Sequence, residues 1–206
     1  MRLPVPLVTV AMTLALTNWS VAQDDPIEEP EQPTAVVLMP KPPATKLESF
    51  EQGIGAVIVK GFTRVGNLAS DDQAEINIYA VAMSDGNRKQ YGAMFEFTIK
   101  DFRPVRCYVD EDEIGQLLDG LSALSRVDKT TLPLDTVEAV FRTRGSLEIF
   151  NRDQNGGRVA VIRGTVVSAV TGYVRVARAS FRTARLSELT HQLTLARDVI
   201  TRLKGG

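Results

Sequence analysis

An alternation of apolar and polar positions with period two dominates the first half of the chain. In "EINIYAVAM" (75–83), Ile76, Ile78, Ala80 and Ala82 share one face. In "QYGAMFEFTIK" (90–100), Tyr91, Ala93, Phe95, Phe97 and Ile99 do the same, with Met94, Glu96, Thr98 and Lys100 opposite. A period of two predicts half-buried strands. Asp85-Gly86 between them predicts a tight two-residue hairpin, whose central residues both need positive φ. Upstream, "GAVIVKGFTRVGNL" (55–68) predicts a long strand bent or broken near Gly61 and Gly66, and downstream "PVRCYV" (104–109) predicts a short fourth strand. The period then changes. Ile114, Leu117, Leu118, Leu121 and Leu124 recur at spacings of three and four, which predicts a helix over 111–125.

The second half repeats the plan. "VEAVFRTRG", "SLEIFN", "GRVAVIRG" and "TGYVRVARASF" predict four strands. Leu186, Leu189, Leu193, Ala196, Ile200 and Leu203 predict a final helix over 184–203. Each half, 46–136 and 137–206, is four strands followed by a helix. The expected class is α+β, an antiparallel sheet arrangement with helices packed on its apolar face.

Four consecutive acids, 110–113, open the first long helix in "CYVDEDEIGQLLDGL" (107–121). Asp110 and Glu113 stand three apart, the spacing of a capping box, and Glu111 and Asp112 fall in a first turn where the helix dipole favours negative charge. Successive helical residues point about 100° apart, so these carboxylates do not converge as metal ligands. The expectation is a helix start.

The N-terminus changes the picture of where the chain goes. "MRLPVPLVTVAMTLALTNWSVAQ" has one basic residue, an apolar run and small residues at Ser20 and Ala22, the three-part form of a cleaved signal peptide over 1–22. The expected destination is periplasmic or extracellular, with no stable membrane span after cleavage. Residues 23–45 carry six prolines between acids, which predicts a disordered tether. Residues 46–206 remain for one α+β domain. A single cysteine, Cys107, excludes an internal disulfide and reads as a buried small hydrophobe.

Candidate chemistry is sparse. "NRDQNGG" (151–157) begins like a calcium loop, but its twelfth position is Ile162 and its flanks read as strands, so Asn155-Gly156 is taken as a hairpin turn. His191 is the only histidine and falls off the leucine stripe of the last helix, so it is expected at the surface. One His and one Cys, far apart in sequence, cannot build a zinc site from several such ligands and argue against histidine-based nucleophilic catalysis. Phosphate-loop, dinucleotide and serine-elbow motifs are absent. No catalytic residue, cofactor or metal is expected, although two acids converging in space could still form a carboxylate-dependent hydrolase.

Charge is unevenly placed although the chain totals −1. Residues 46–136 hold ten Lys/Arg against fifteen Asp/Glu, and 137–206 hold twelve against five. Eleven of those twelve are arginine, including Arg142, Arg144, Arg158, Arg163, Arg175 and Arg178 on expected strands, with Phe141, Phe150, Tyr173 and Phe181 among them. Arginine beside aromatics suits polyanions. Arg142, Arg144, Arg175 and Arg178 are the candidate anion-binding residues, on a solvated sheet face.

"VIVKGFTRVG", "QYGAMFEFTI", "DEDEIGQLLDGLSALSRVDK" and "EAVFRTRGSLEIF" resemble segments of a family of uncharacterised exported bacterial proteins. The resemblance covers most of the chain after the tether and carries no catalytic residue. The strand-and-helix repeat is similar in outline to the Whirly and Pur single-stranded nucleic-acid-binding folds. The function expected is a non-enzymatic binding or assembly domain of the cell envelope, its partner an envelope protein or an anionic polymer.

Overall fold

The computed structural model describes residues 42–127, 134, 136–154, 157–167 and 174–205. The expected signal peptide, most of the expected tether, and the Asn155-Gly156 turn lie outside them. A short helix, α1 (Lys46–Glu51), precedes four strands, β1 (Val59–Ala69), β2 (Ala74–Ser84), β3 (Lys89–Ile99) and β4 (Val105–Asp110). Helix α2 (Glu111–Arg126) follows. Then come β5 (Glu138–Arg142), β6 (Leu147–Gln154), β7 (Gly157–Val167), β8 (Val174–Arg182), a 3-10 turn (Thr183–Arg185) and α3 (Leu186–Gly205). The strands form two antiparallel four-stranded sheets, β1-β2-β3-β4 and β5-β6-β7-β8, so the fold is α+β as expected.

The alternation does what its period demands. Ile76, Ile78, Phe95, Phe97, Cys107 and Val109 of the first sheet enter one core with Leu147, Ile149, Ile162, Ala177 and Phe181 of the second. Ile114, Leu117, Leu121 and Leu124 of α2 join them, as do Leu186, Leu189, Leu193, Ala196 and Ile200 of α3. The helices interlock the halves. Helix α2 touches β5 and β6 as well as β3 and β4, while α3 lies on β1, β2 and β3 and against α2. Gly164 of β7 marks a close meeting of the sheets, since a Cβ there would stand 2.6 Å from Phe97 and 2.8 Å from the Cys107 sulfur. The long first strand is irregular between Arg64 and Gly66, where its register against β2 shifts.

Two local expectations need correction. The β2–β3 connection is a four-residue loop, because Ser84 pairs with Lys89. Only Gly86 has positive φ in it. The Asp85 carboxylate accepts the N–H groups of Asn87 at 3.0 Å and Arg88 at 2.7 Å, so a side chain holds the turn that two positive-φ residues would otherwise form. The second correction concerns the acids. Asp110 occupies the N-cap position of α2 but its side chain makes no capping bond there. It accepts instead from the backbone N–H of Lys46 at 2.8 Å and of Leu47 at 3.1 Å, in the first turn of α1. Glu113 accepts the N–H of Arg144 at 2.8 Å.

Helix α1 has a capping box of its own, with the Thr45 hydroxyl accepting the Glu48 N–H and the Glu48 carboxylate accepting the Thr45 N–H. Leu47 and Phe50 pack on Val81, Met83, Met94 and Tyr108, on the opposite side of the first sheet from the main core. That sheet is therefore buried on both faces where α1 lies.

Candidate anion-binding face

Strand register, not strand count, decides which arginines share a surface. Leu147, Ile149, Asn151, Ala177, Ala179 and Phe181 are buried, so the alternate residues of β6 and β8 face outward. Paired residues of antiparallel strands lie on the same face. One outward row runs straight across the sheet from Arg142 to Glu148, Arg163 and Arg178. A second row, four residues along each strand, runs from Glu138 to Arg152, Val159 and Arg182. Between them lie Val140, Phe150, Val161 and Ser180.

This outer face carries five arginines and two glutamates, and Arg142, Arg178, Arg182 and Val140 on it are exposed. At strand spacing the two rows are about 13 Å apart. Phe150 sits between them. The Arg163 guanidinium lies 5.6 Å from its ring centre and that of Arg152 lies 6.0 Å away, within cation–π range. Glu148 is held between two cations, with Arg142 Nε donating at 2.8 Å and Arg163 Nε at 2.7 Å. Partial burial pushes the Glu148 carboxyl up, but the hydrogen bonds from both arginines outweigh it and hold it below the ordinary range. Arg178 stands opposite Arg163 with no ion pair to a described residue.

The four candidates named from sequence do not share this face. Arg142 and Arg178 are on it. Arg144 lies beyond the end of β5 and turns to the acids at the start of α2, at 2.8 Å from Asp112, 3.5 Å from Glu113 and 3.7 Å from Asp110. Hydrogen bonds from Lys46 and Arg144 hold the Asp112 carboxyl below its usual range. Arg175 is three residues from Arg178 and therefore has the opposite parity; its guanidinium approaches the Pro104 carbonyl at 3.4 Å. Arg152, Arg163 and Arg182 are the members of the face outside the four candidates; Arg163 was named only as a strand arginine, and for Arg152 and Arg182 the period-four spacing from Glu148 and Arg178 was the available signal.

No protein-family model matches this chain, and no curated protein matches its sequence.

The remaining candidates have structural surroundings. All four acids of 110–113 are engaged by basic groups or backbone amides, Glu111 by Lys204 at 2.7 Å. Among the described residues, no three His, Cys, Asp or Glu come together as a metal-binding group. Asn151, the first residue of the calcium-like stretch, is buried. It donates to the Leu124 carbonyl at 2.7 Å and accepts the Thr183 hydroxyl at 2.8 Å, tying the end of α2 to the turn before α3. His191 is exposed. Cys107 is buried, and burial pushes its thiol up to about 12, far from a reactive thiolate. No described helix is long and apolar enough to cross a membrane.

Proposed function

We propose that the chain is an exported, non-catalytic binding domain of the bacterial cell envelope that holds an anionic polymer on the outer face of its second sheet. One observation carries the reading: five arginines in two register-aligned rows flank Phe150, and the acids that share those rows among the described residues are Glu138 and Glu148. Two rows about 13 Å apart match an extended chain of charges better than a single small ion. Guanidinium groups pair with phosphate or sulfate through planar forks, and a ring between them offers a stacking surface for a base or sugar. Catalysis has no comparable support, since neither row places a histidine or cysteine beside Ser180, and the acids near α2 are occupied by cations.

The test is binding of single-stranded DNA and of heparin to the full chain across a salt series, comparing the wild type with Arg178→Gln/Arg182→Gln. Both side chains are exposed, so the fold is expected to be retained. Loss of two phosphate contacts should flatten the slope of log affinity against log salt by about 1.4 on single-stranded DNA. Binding that is absent, or the same for both proteins, would reject the anionic polymer and favour assembly with an envelope protein.

A further inference from the structure

A second candidate site lies away from the cationic rows, between the β3–β4 connection and the start of β8. The pocket there has a volume of about 340 Å³, at the lower end of the ~300–1,000 Å³ usual for small-molecule sites. Phe97, Val105 and Ala177, all buried, form its floor. Phe102 and Val176 form its walls and are 73% and 56% exposed, so the pocket holds apolar surface that nothing described covers. The connection is shaped to present that ring. Asp101 has φ +64°, and the Phe102 N–H donates to the Ile99 carbonyl at 3.1 Å, closing a tight reversal that leaves Phe102 and Arg103 at its tip.

Among the described residues, the charged ones lining this pocket are Arg103 and Arg175, and neither has an ion pair to a described residue. Both also line a polar hollow of about 480 Å³ on the neighbouring surface, so they stand where apolar lining gives way to water. The acids of that hollow are engaged elsewhere, Glu48 in the capping box of α1 and Glu51 with Lys60. Two guanidinium groups that form no ion pair to a described residue, at the mouth of an apolar pocket, are complementary to one kind of ligand. We propose that this pocket binds a free single-chain amphiphile with an anionic head, of the medium-chain carboxylate type. The tail would cover Phe102 and Val176, and the head would accept from Arg103 and Arg175 on the wet side. Carboxylate matches the planar fork of arginine, and the small volume excludes two-chain lipids.

Calorimetric titration of the full chain with sodium decanoate, below its micelle concentration, tests this against decyltrimethylammonium, which has the same tail and the opposite charge. The expected result is saturable 1:1 binding of decanoate, at least about tenfold tighter than the cation, the scale of one charge-assisted hydrogen bond. Arg103→Gln/Arg175→Gln should remove that preference, weakening decanoate and relieving the repulsion that disfavours the cation. Phe102→Ala should weaken both ligands. All three side chains are exposed, and unchanged melting temperatures would show that the fold persists. Equal affinity for the two amphiphiles, no change in the double variant, or binding only to anionic vesicles and not to free decanoate would each overturn the proposal. Single-stranded DNA binding should be unaffected by these variants, which separates failure of this site from failure of the cationic face.

Discussion

The carboxylate of Asp110 accepts the backbone N–H of Leu47 at 3.1 Å across 63 residues of chain, and it is 1% exposed. A residue that stands at the start of one helix therefore satisfies the first-turn amides of another. Helices leave four N–H groups without intrahelical partners, and in α1 Thr45 and Asp110 supply acceptors for three of them. The Lys46 ammonium and the Arg144 guanidinium then bind Asp112, at 3.0 and 2.8 Å, so the acidic run ties α1 and the end of β5 to α2.

Asp110→Ala should accordingly loosen α1 rather than α2. Leaving the buried Leu47 amide without an acceptor costs about 1–3 kcal/mol. Urea unfolding gives the loss, and hydrogen exchange gives its place: faster exchange at Leu47, with the first-turn amides of α2 unchanged. The opposite pattern would return the cap to α2.

Core packing predicts a contrast between neighbouring leucines. Leu117 is fully buried between the sheets, while Leu118 is only partly buried at the edge of the same core. Leu117→Ala should cost about 2–5 kcal/mol, and Leu118→Ala clearly less. Equal losses in denaturant titrations would mean that α2 is rotated from its described position.

Alkaline pH should destabilise the fold through Cys107. The unfolded thiol ionises near pH 8.5, whereas burial raises the folded one to about 12. Between those values the folded chain keeps a proton that the unfolded chain has lost. The contribution is thus complete below about pH 8.5 and falls as pH rises, by up to about 1.4 kcal/mol per pH unit. Burial, and then the nearby Glu51, also raise Tyr108, which acts in the same direction. Unfolding free energies of wild type and Cys107→Ala, measured from pH 8 to 11, should converge as pH increases. Parallel curves would show that the thiol is not buried in solution.

Most strands and both long helices were legible because their periods run over 9 to 20 residues, except in the shorter β4, β5 and β6 and in the irregular β1. Helix α1 was not, since six residues are too few to display an apolar stripe. Its signal was present in another form. Thr45 and Glu48 have capping-box spacing, and Val81, Met83 and Met94 are apolar on the strand face assigned to solvent, which implies a cover. The same spacing at Asp110 and Glu113 misled, because a carboxylate carries no record of which amide it will meet. For the arginines the limit was register. Parity alone separates Arg175 from Arg178, but aligning Arg142, Arg163 and Arg178 in one row requires knowing how four strands pair.

That row supplies a prediction of unusual sign. Glu148 takes hydrogen bonds from Arg142 and Arg163 and so neutralises part of the cationic face. Glu148→Gln removes one negative charge and leaves an amide oxygen that can still accept a hydrogen bond. Its side chain is 19% exposed while those of Arg142 and Arg163 are 65% and 42% exposed, so solvent already screens the pair energies. The stability cost should stay within about 1 kcal/mol, as for exposed ion pairs. Binding should move the other way. With two guanidinium groups released, affinity for single-stranded DNA should rise, and the salt slope should steepen by about 0.7 for each arginine that then meets a phosphate. A variant that is slightly less stable and yet binds more tightly is hard to obtain by misfolding, which weakens binding. Unchanged or weaker binding of Glu148→Gln, measured at two salt concentrations, would mean that Arg142 and Arg163 serve the sheet and that no polyanion lies across this row.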